Sequence, residues 1–141
     1  MTPGEIDALL AAPSLLAEAL ATPADGELAA GTRLRASYEP SLVAAAFAQA
    51  ELRRRGRAKF SRADRMLFTR DGLEQASTEV VARHRAQRLA GLGRLADLCC
   101  GIGGDLVALA AGREVVAVDR DVTHLRLAEH NTQVYDVGAG V

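Results

Sequence analysis

The 141-residue sequence predicts an α/β chain, a helical N-terminal region followed by two parallel strands with their helices. Three observations carry this. The first 60 residues are Ala-rich, with apolar side chains at helical spacing and prolines at intervals. After Gly93 short apolar runs alternate with amphipathic stretches, the rhythm of a parallel sheet. A glycine cluster sits between the first of those runs and the stretch after it. The predicted division is 1–60, a helical N-terminal domain; 61–92, a hairpin and linking helix; and 93–141, a partial α/β domain.

The elements follow in order. Thr2-Pro3-Gly4-Glu5 is a helix start, and Ile6, Leu9 and Leu10 share one face. Pro13 interrupts, and Ser14–Ala21 forms a second short helix. Pro23 and Gly26 precede a third, about Glu27–Ala36, and Pro40 marks the next boundary. Ser41–Lys59 is a long helix with a stripe of Leu42, Ala45, Ala46, Gln49 and Leu52. Asp71-Gly72 between two short apolar-leaning segments is a hairpin signal. Ser77 reads as the N-cap of a helix to about Leu89, on Val80, Val81, His84 and Leu89. Arg94–Leu98 and Glu114–Asp119 read as strands. Asp105–Ala111 and Val122–Tyr135 read as helices, with Asp121 capping the second.

Hydrophobic residues make up 49% and charged residues 25%, a globular composition that excludes disorder and collagen. The apolar runs fall short of the roughly 20 residues a membrane-spanning helix needs. Met1–Asp7 holds two acids and no base, unlike a secretory signal. A cytoplasmic protein is expected, with no membrane partner. Cys99 and Cys100 are adjacent, bridge only with strain, and read as reduced. They lack a second pair at metal-binding spacing, so no metal is expected.

The formal net charge of -1 hides a basic middle. Residues 51–95 hold twelve bases against five acids, while both flanks are acidic. Arg53, Arg54, Arg55, Arg57 and Lys59 close the long helix. They suit either a solvated end that offsets the helix dipole or a contact for nucleic-acid phosphates.

The chemistry gathers at Asp97-Leu98-Cys99-Cys100-Gly101-Ile102-Gly103-Gly104. A glycine loop between strand and helix brings backbone N–H groups close to a ligand. Asp119, ending the next strand, faces the same crevice and can accept both hydroxyl protons of a ribose. An adenosine-containing cofactor is expected; the plainer alternative is an ordinary tight turn. Leu106 stands where a dinucleotide fingerprint needs its third glycine, and no phosphate loop follows. Asp97 would repel a pyrophosphate and suit an ammonium. S-adenosylmethionine carries a ribose and an ammonium without a phosphate.

These two segments resemble the first two motifs of class I S-adenosylmethionine-dependent methyltransferases. More narrowly, they are similar to the trimethylguanosine synthase-like group and bacterial relatives with a THUMP-like domain. The Ala128-x-x-Asn131-x-x-x-Tyr135 helix end and the upstream Phe68-x-Arg70-Asp71-Gly72 segment belong to the same likeness. Asp136 and Val122 depart from it. The resemblance implies the first half of a Rossmann-like methyltransferase domain, apparently truncated. It implies that Asp97 holds the methionine amino end, directly or through water. The backbone of Cys99, Cys100, Gly101 and Gly103 would line the methionine and ribose. Asp119 would take the ribose hydroxyls, and Arg120 would lie along the adenine edge. Ser77 is a cap before it is a cofactor contact. His124 and His130 read as solvated, and His84 as packed within its helix.

An Asn/Asp-Pro-Pro-type segment, which in the family holds the base being methylated, is missing, so no catalytic residue is expected here. An inactive N-terminal part of an RNA (guanine) methyltransferase is the reading, with RNA as partner. A small-molecule or protein methyltransferase and a non-enzymatic helical interaction module are the alternatives. The strand at Leu95–Leu98 would have an open edge, so self-association, pairing with a separate C-terminal half, or a frayed tail is expected.

Overall fold

The computed structural model describes residues 1–138. Helix α1 (Pro3–Leu10) opens with a capping box. The Thr2 hydroxyl accepts from the Glu5 N–H, and the Glu5 carboxylate accepts from the Thr2 N–H. Helices α2 (Pro13–Ala21), α3 (Glu27–Leu34) and α4 (Pro40–Gly56) follow. Pro3, Pro13 and Pro40 each stand at the first helical position, where a missing N–H costs nothing. The prolines that punctuate the sequence therefore open helices. Helix α4 is the spine, and Val43, Ala46 and Ala50 meet Leu15, Leu16 and Ala19 of α2 in a closed core.

The cationic end of α4 is consumed within the chain. Arg53 is buried and its Nε donates to the Met66 carbonyl. Arg54 donates to the Thr22 carbonyl and pairs with Glu27. Arg55 pairs with Glu74 and Arg57 with Asp64. Lys59, the sole lysine, donates to the carbonyls of Leu73, Glu74 and Ala76. This run holds the fold together and is not a free phosphate-binding face.

No hairpin forms at Asp71-Gly72. Instead Arg70–Gln75 is a short helix, α5, capped by the Thr69 hydroxyl accepting from the Gly72 N–H at 3.1 Å. The glycine serves close approach: a Cβ on Gly72 would stand 2.4 Å from Ile102 Cγ2. The residues before α5 belong to no sheet, yet their backbone is satisfied by side chains. The Asn131 amide both donates to and accepts from Leu67, each at 3.0 Å. Gln49 brackets Phe68 in the same way, at 2.7 and 3.0 Å.

Helix α6 (Glu79–Arg88) is capped by Thr78 rather than Ser77. Its buried face is Ala82 and Ala86, while Val80 is 70% exposed and His84 is also exposed. Small residues face inward because α6 packs closely on the next helix, α7 (Leu106–Leu109).

Strands β1 (Leu95–Leu98) and β2 (Val115–Val118) pair in parallel, with Asp97 opposite Ala117. Helix α8 (Val122–Val134) follows β2, with Asp121 as its cap accepting from the Thr123 N–H. Val115 and Ala117 are buried on one face of this sheet. On the other face Leu98 is 70%, Val116 43% and Val118 45% exposed. Among the described residues no strand pairs with the far edge of β1. Helix α1 packs on α8, where Arg126 pairs with Asp7. A mixed core of Ile6, Leu52, Phe68, Ile102 and Leu127 joins the helical region to the glycine loop. Among the described residues no helix is long and apolar enough to cross a membrane, and no cluster of ligating side chains could hold a metal.

Candidate cofactor site

The loop after β1 is built on left-handed backbone. Cys99, Gly101 and Gly103 have φ of 64°, 54° and 85°. Glycine meets this at two of the three positions without a Cβ penalty. The Cys100 N–H donates to the Val118 carbonyl at 3.0 Å, tying the loop to the end of β2. Gly103 lies against α8, where a Cβ would approach the Ala128 Cα to 3.2 Å. Gly101, by contrast, faces open space.

Two contiguous cavities of about 190 and 420 Å³ open at the carboxyl ends of the strands, sharing Gln75, Cys99, Gly101 and His124. In an open α/β sheet this is where ligands bind. Cys100, Ser77 and Asp105 line the smaller cavity; Asp119, Arg120 and Asp121 line the larger. Of the residues singled out from sequence, Cys99, Cys100, Gly101, Asp119 and Arg120 are thus brought together. Gly103 is turned to α8, and Asp97 is part of neither wall.

Two carboxylates face opposite fates. Asp119 Oδ2 accepts from the Gly101 N–H and Oδ1 from the Asp121 N–H, both at 2.9 Å. Burial pushes its pKa up, but those two N–H donors and His124 outweigh it and hold the carboxyl below its usual range. His124 Nδ1 lies 3.7 Å from Asp119 Oδ1. Asp119 is therefore an ionised acceptor with lone pairs to spare. Asp97 has its Oδ2 sealed from solvent without a hydrogen-bond partner among the described residues. Burial, then the nearby Asp105, pushes its carboxyl above the usual range, with Arg85 opposing and Asp119 adding. A cationic donor is what such a group lacks.

Asp105 is already answered. Arg85 Nη1 donates to both of its oxygens, at 2.8 and 2.6 Å, and to the Ser77 hydroxyl at 2.6 Å. Cys100 is buried, and burial followed by Asp97 pushes its thiol up to about 12, so it packs and does not react. His124, Gln75 and Asp105 escaped the sequence reading as wall residues. His124 sits on the first turn of α8, one turn beyond Asp119, and that position is the signal that could have found it.

Asn131 and Tyr135 also acquire roles. Asn131 donates to the Ile102 carbonyl at 2.9 Å as well as bracketing Leu67, which locks the loop to the segment before α5. The Tyr135 hydroxyl donates to Glu79 at 2.9 Å, fixing the start of α6.

Comparison with known proteins places two segments. Residues 92–141 match the model of the RNA cap guanine-N2 methyltransferase family. Residues 7–56 match a domain of unknown function, DUF8688. Two uncharacterized S-adenosylmethionine-dependent methyltransferases, from two strains of Mycobacterium tuberculosis, are each 46% identical over 66 residues. That stretch is 46% of this chain and 18% of the relative, so the chain matches under a fifth of their length. The likeness to S-adenosylmethionine-dependent methyltransferases, read over about residues 41–137, is borne out by the match over 92–141, and S-adenosylmethionine is the cofactor of that group.

Proposed function

We propose, from the place of residues 92–141 among the S-adenosylmethionine-dependent methyltransferases, that this region is the cofactor side of an enzyme methylating a guanine base of RNA. One observation carries the cofactor reading: an orphaned carboxylate oxygen on Asp97 beside a backbone-anchored, ionised Asp119, at the ends of adjacent strands. Asp119 accepts the ribose hydroxyl protons. Asp97 takes the ammonium, directly or through water. The loop backbone at Cys99, Cys100, Gly101 and Gly103 lines methionine and ribose, and Arg120 lies along the adenine. Bound there, the cofactor supplies an electrophilic methyl group on a sulfonium.

The base is held by residues outside this chain, since its four prolines are Pro3, Pro13, Pro23 and Pro40 and no Pro-Pro segment occurs. Positioning the acceptor is a large part of such a transfer. The 141-residue chain alone therefore turns over no cofactor. In this reading 1–60 is a helical domain, 61–92 a linking segment, 93–141 the partial cofactor domain, and the setting is cytoplasmic. RNA phosphates would meet Arg70, which has no hydrogen bond or ion pair among the described residues and lines a cavity of about 450 Å³ at the cleft rim. Further strands, or a second copy, would pack on the open edge of β1.

Calorimetry with S-adenosylmethionine on wild type and Asp119→Ala tests the cofactor reading. Binding at least tenfold weaker in the variant is expected; equal binding, or none by wild type, overturns it. RNA binding that ignores salt removes the RNA reading alone. Methyl transfer by the chain alone would overturn the division of labour.

A further inference from the structure

We propose a second binding site, for a small apolar carboxylate, in the groove between α2 and the turn at Asp64–Arg65. This groove of about 340 Å³ is separate from the cofactor cleft and shares none of its lining residues. Ligand pockets begin at about 300 Å³. One wall is apolar, with Leu10, Leu16 and Leu20; the other carries Arg53, Asp64, Arg65 and His130.

Arg53 is the directing group. It is only 5% exposed, and its Nε is spent on the Met66 carbonyl. Its Nη groups have no hydrogen bond or ion pair among the described residues. Asp97 Oδ2 is the one sealed, unpartnered side-chain polar atom among them, so the Arg53 Nη groups open onto the groove that Arg53 lines. A guanidinium cannot shed its proton to escape burial. The one carboxylate of the lining, Asp64, is neutralised from outside the groove: both its oxygens are held by Arg57, at 2.7 and 3.0 Å. Arg65 is exposed and adds a further cation with no ion pair among the described residues. Burial pushes the His130 pKa down, so that ring adds no charge at neutral pH.

The groove therefore combines surplus positive charge, one planar fork and an aliphatic wall. A carboxylate matches the fork with two parallel bonds, and an apolar body of some eight carbons matches the leucines. An anion without an apolar body leaves the leucine wall wet. A neutral chain leaves the guanidinium unpaired.

Octanoate is the probe, titrated into the 141-residue chain and followed by NMR shifts, with 1-octanol and inorganic phosphate as controls. Saturable octanoate binding centred on Leu16, Leu20 and His130 is expected, at least tenfold tighter than octanol, with phosphate inert there. Because Arg53 also supports the fold, the variant to use is Ala17→Glu, an exposed residue of the apolar wall. It should weaken octanoate at least tenfold while the unfolding midpoint stays put. No saturation, equal binding of octanol, phosphate binding as well as octanoate, or indifference to Ala17→Glu would each overturn the site.

Discussion

The helical region and the α/β region solve the same problem to different extents. Around α4 most strong donors have found acceptors, the Arg53 Nη groups excepted. Lys59 gathers three carbonyls, Gln49 brackets Phe68, and Arg54 reaches back to Thr22. Among the described residues, the sheet around β1 has one bare face, one unpaired edge and one carboxylate oxygen without a partner. A parallel sheet is ordinarily covered on both faces. Local and global preferences thus agree in the helices and part company at the cleft, and such disagreement is where function tends to lie.

The contrast can be broken most severely at the joint between the two regions. Asn131→Leu strips partners from the Leu67 N–H, the Leu67 carbonyl and the Ile102 carbonyl. At about 1–3 kcal/mol for each of three buried orphans, a loss of about 3–9 kcal/mol is expected in urea unfolding. Lys59→Met probes the link from the end of α4 to α5 and the cleft wall. It uncaps the end of α5, should cost about 1–2 kcal/mol, and should disturb the Gln75–Ser77 wall of the cleft.

The two carboxylates sharpen the comparison through pH. Asp97 is held above its usual range, so its charge destabilises the fold at neutral pH. That penalty fades as pH falls through the folded value toward the unfolded one, near roughly 4. Asp119 is held below its range, so it stabilises above the unfolded value and loses this as pH falls through the lower folded value. Asp97→Asn should therefore raise the thermal midpoint at pH 7, and Asp119→Asn should lower it, with both differences shrinking in acid. Parallel shifts in one direction would contradict the assignment. The smallest effect belongs to Val80→Ser, within about 0.5 kcal/mol by the same unfolding assay, against about 1–3 kcal/mol for overpacking by Ala82→Leu.

Much of this was legible in the residues. Hydrophobic period marks α1, α4 and α8, short apolar runs mark both strands, and the strand–loop–strand spacing brings Asp119 to the glycine loop. What stayed hidden turns on packing. Gly72 reads as a turn residue until Ile102 is seen pressed against it, so the residues alone point to a hairpin where a helix forms. The valines of α6 read as its buried face until the close approach of α7 selects Ala82 and Ala86. The cations of α4 read as a surface run because their carbonyl partners lie 13 to 35 residues away along the chain. The orphaned oxygen of Asp97 is likewise a property of the fold and not of any spacing.

The side-chain bracketing of Leu67 and Phe68 gives the molecule an internal clock. Their amide hydrogens lie in neither helix nor strand, yet each is held by a buried side-chain amide, Leu67 by α8 and Phe68 by α4. Exchange with solvent at these two neighbours reads the opening of two different regions, one residue apart. If helical and α/β regions open together, the two hydrogens exchange at one rate. If the sheet region opens first, the Leu67 hydrogen leaves while the Phe68 hydrogen stays.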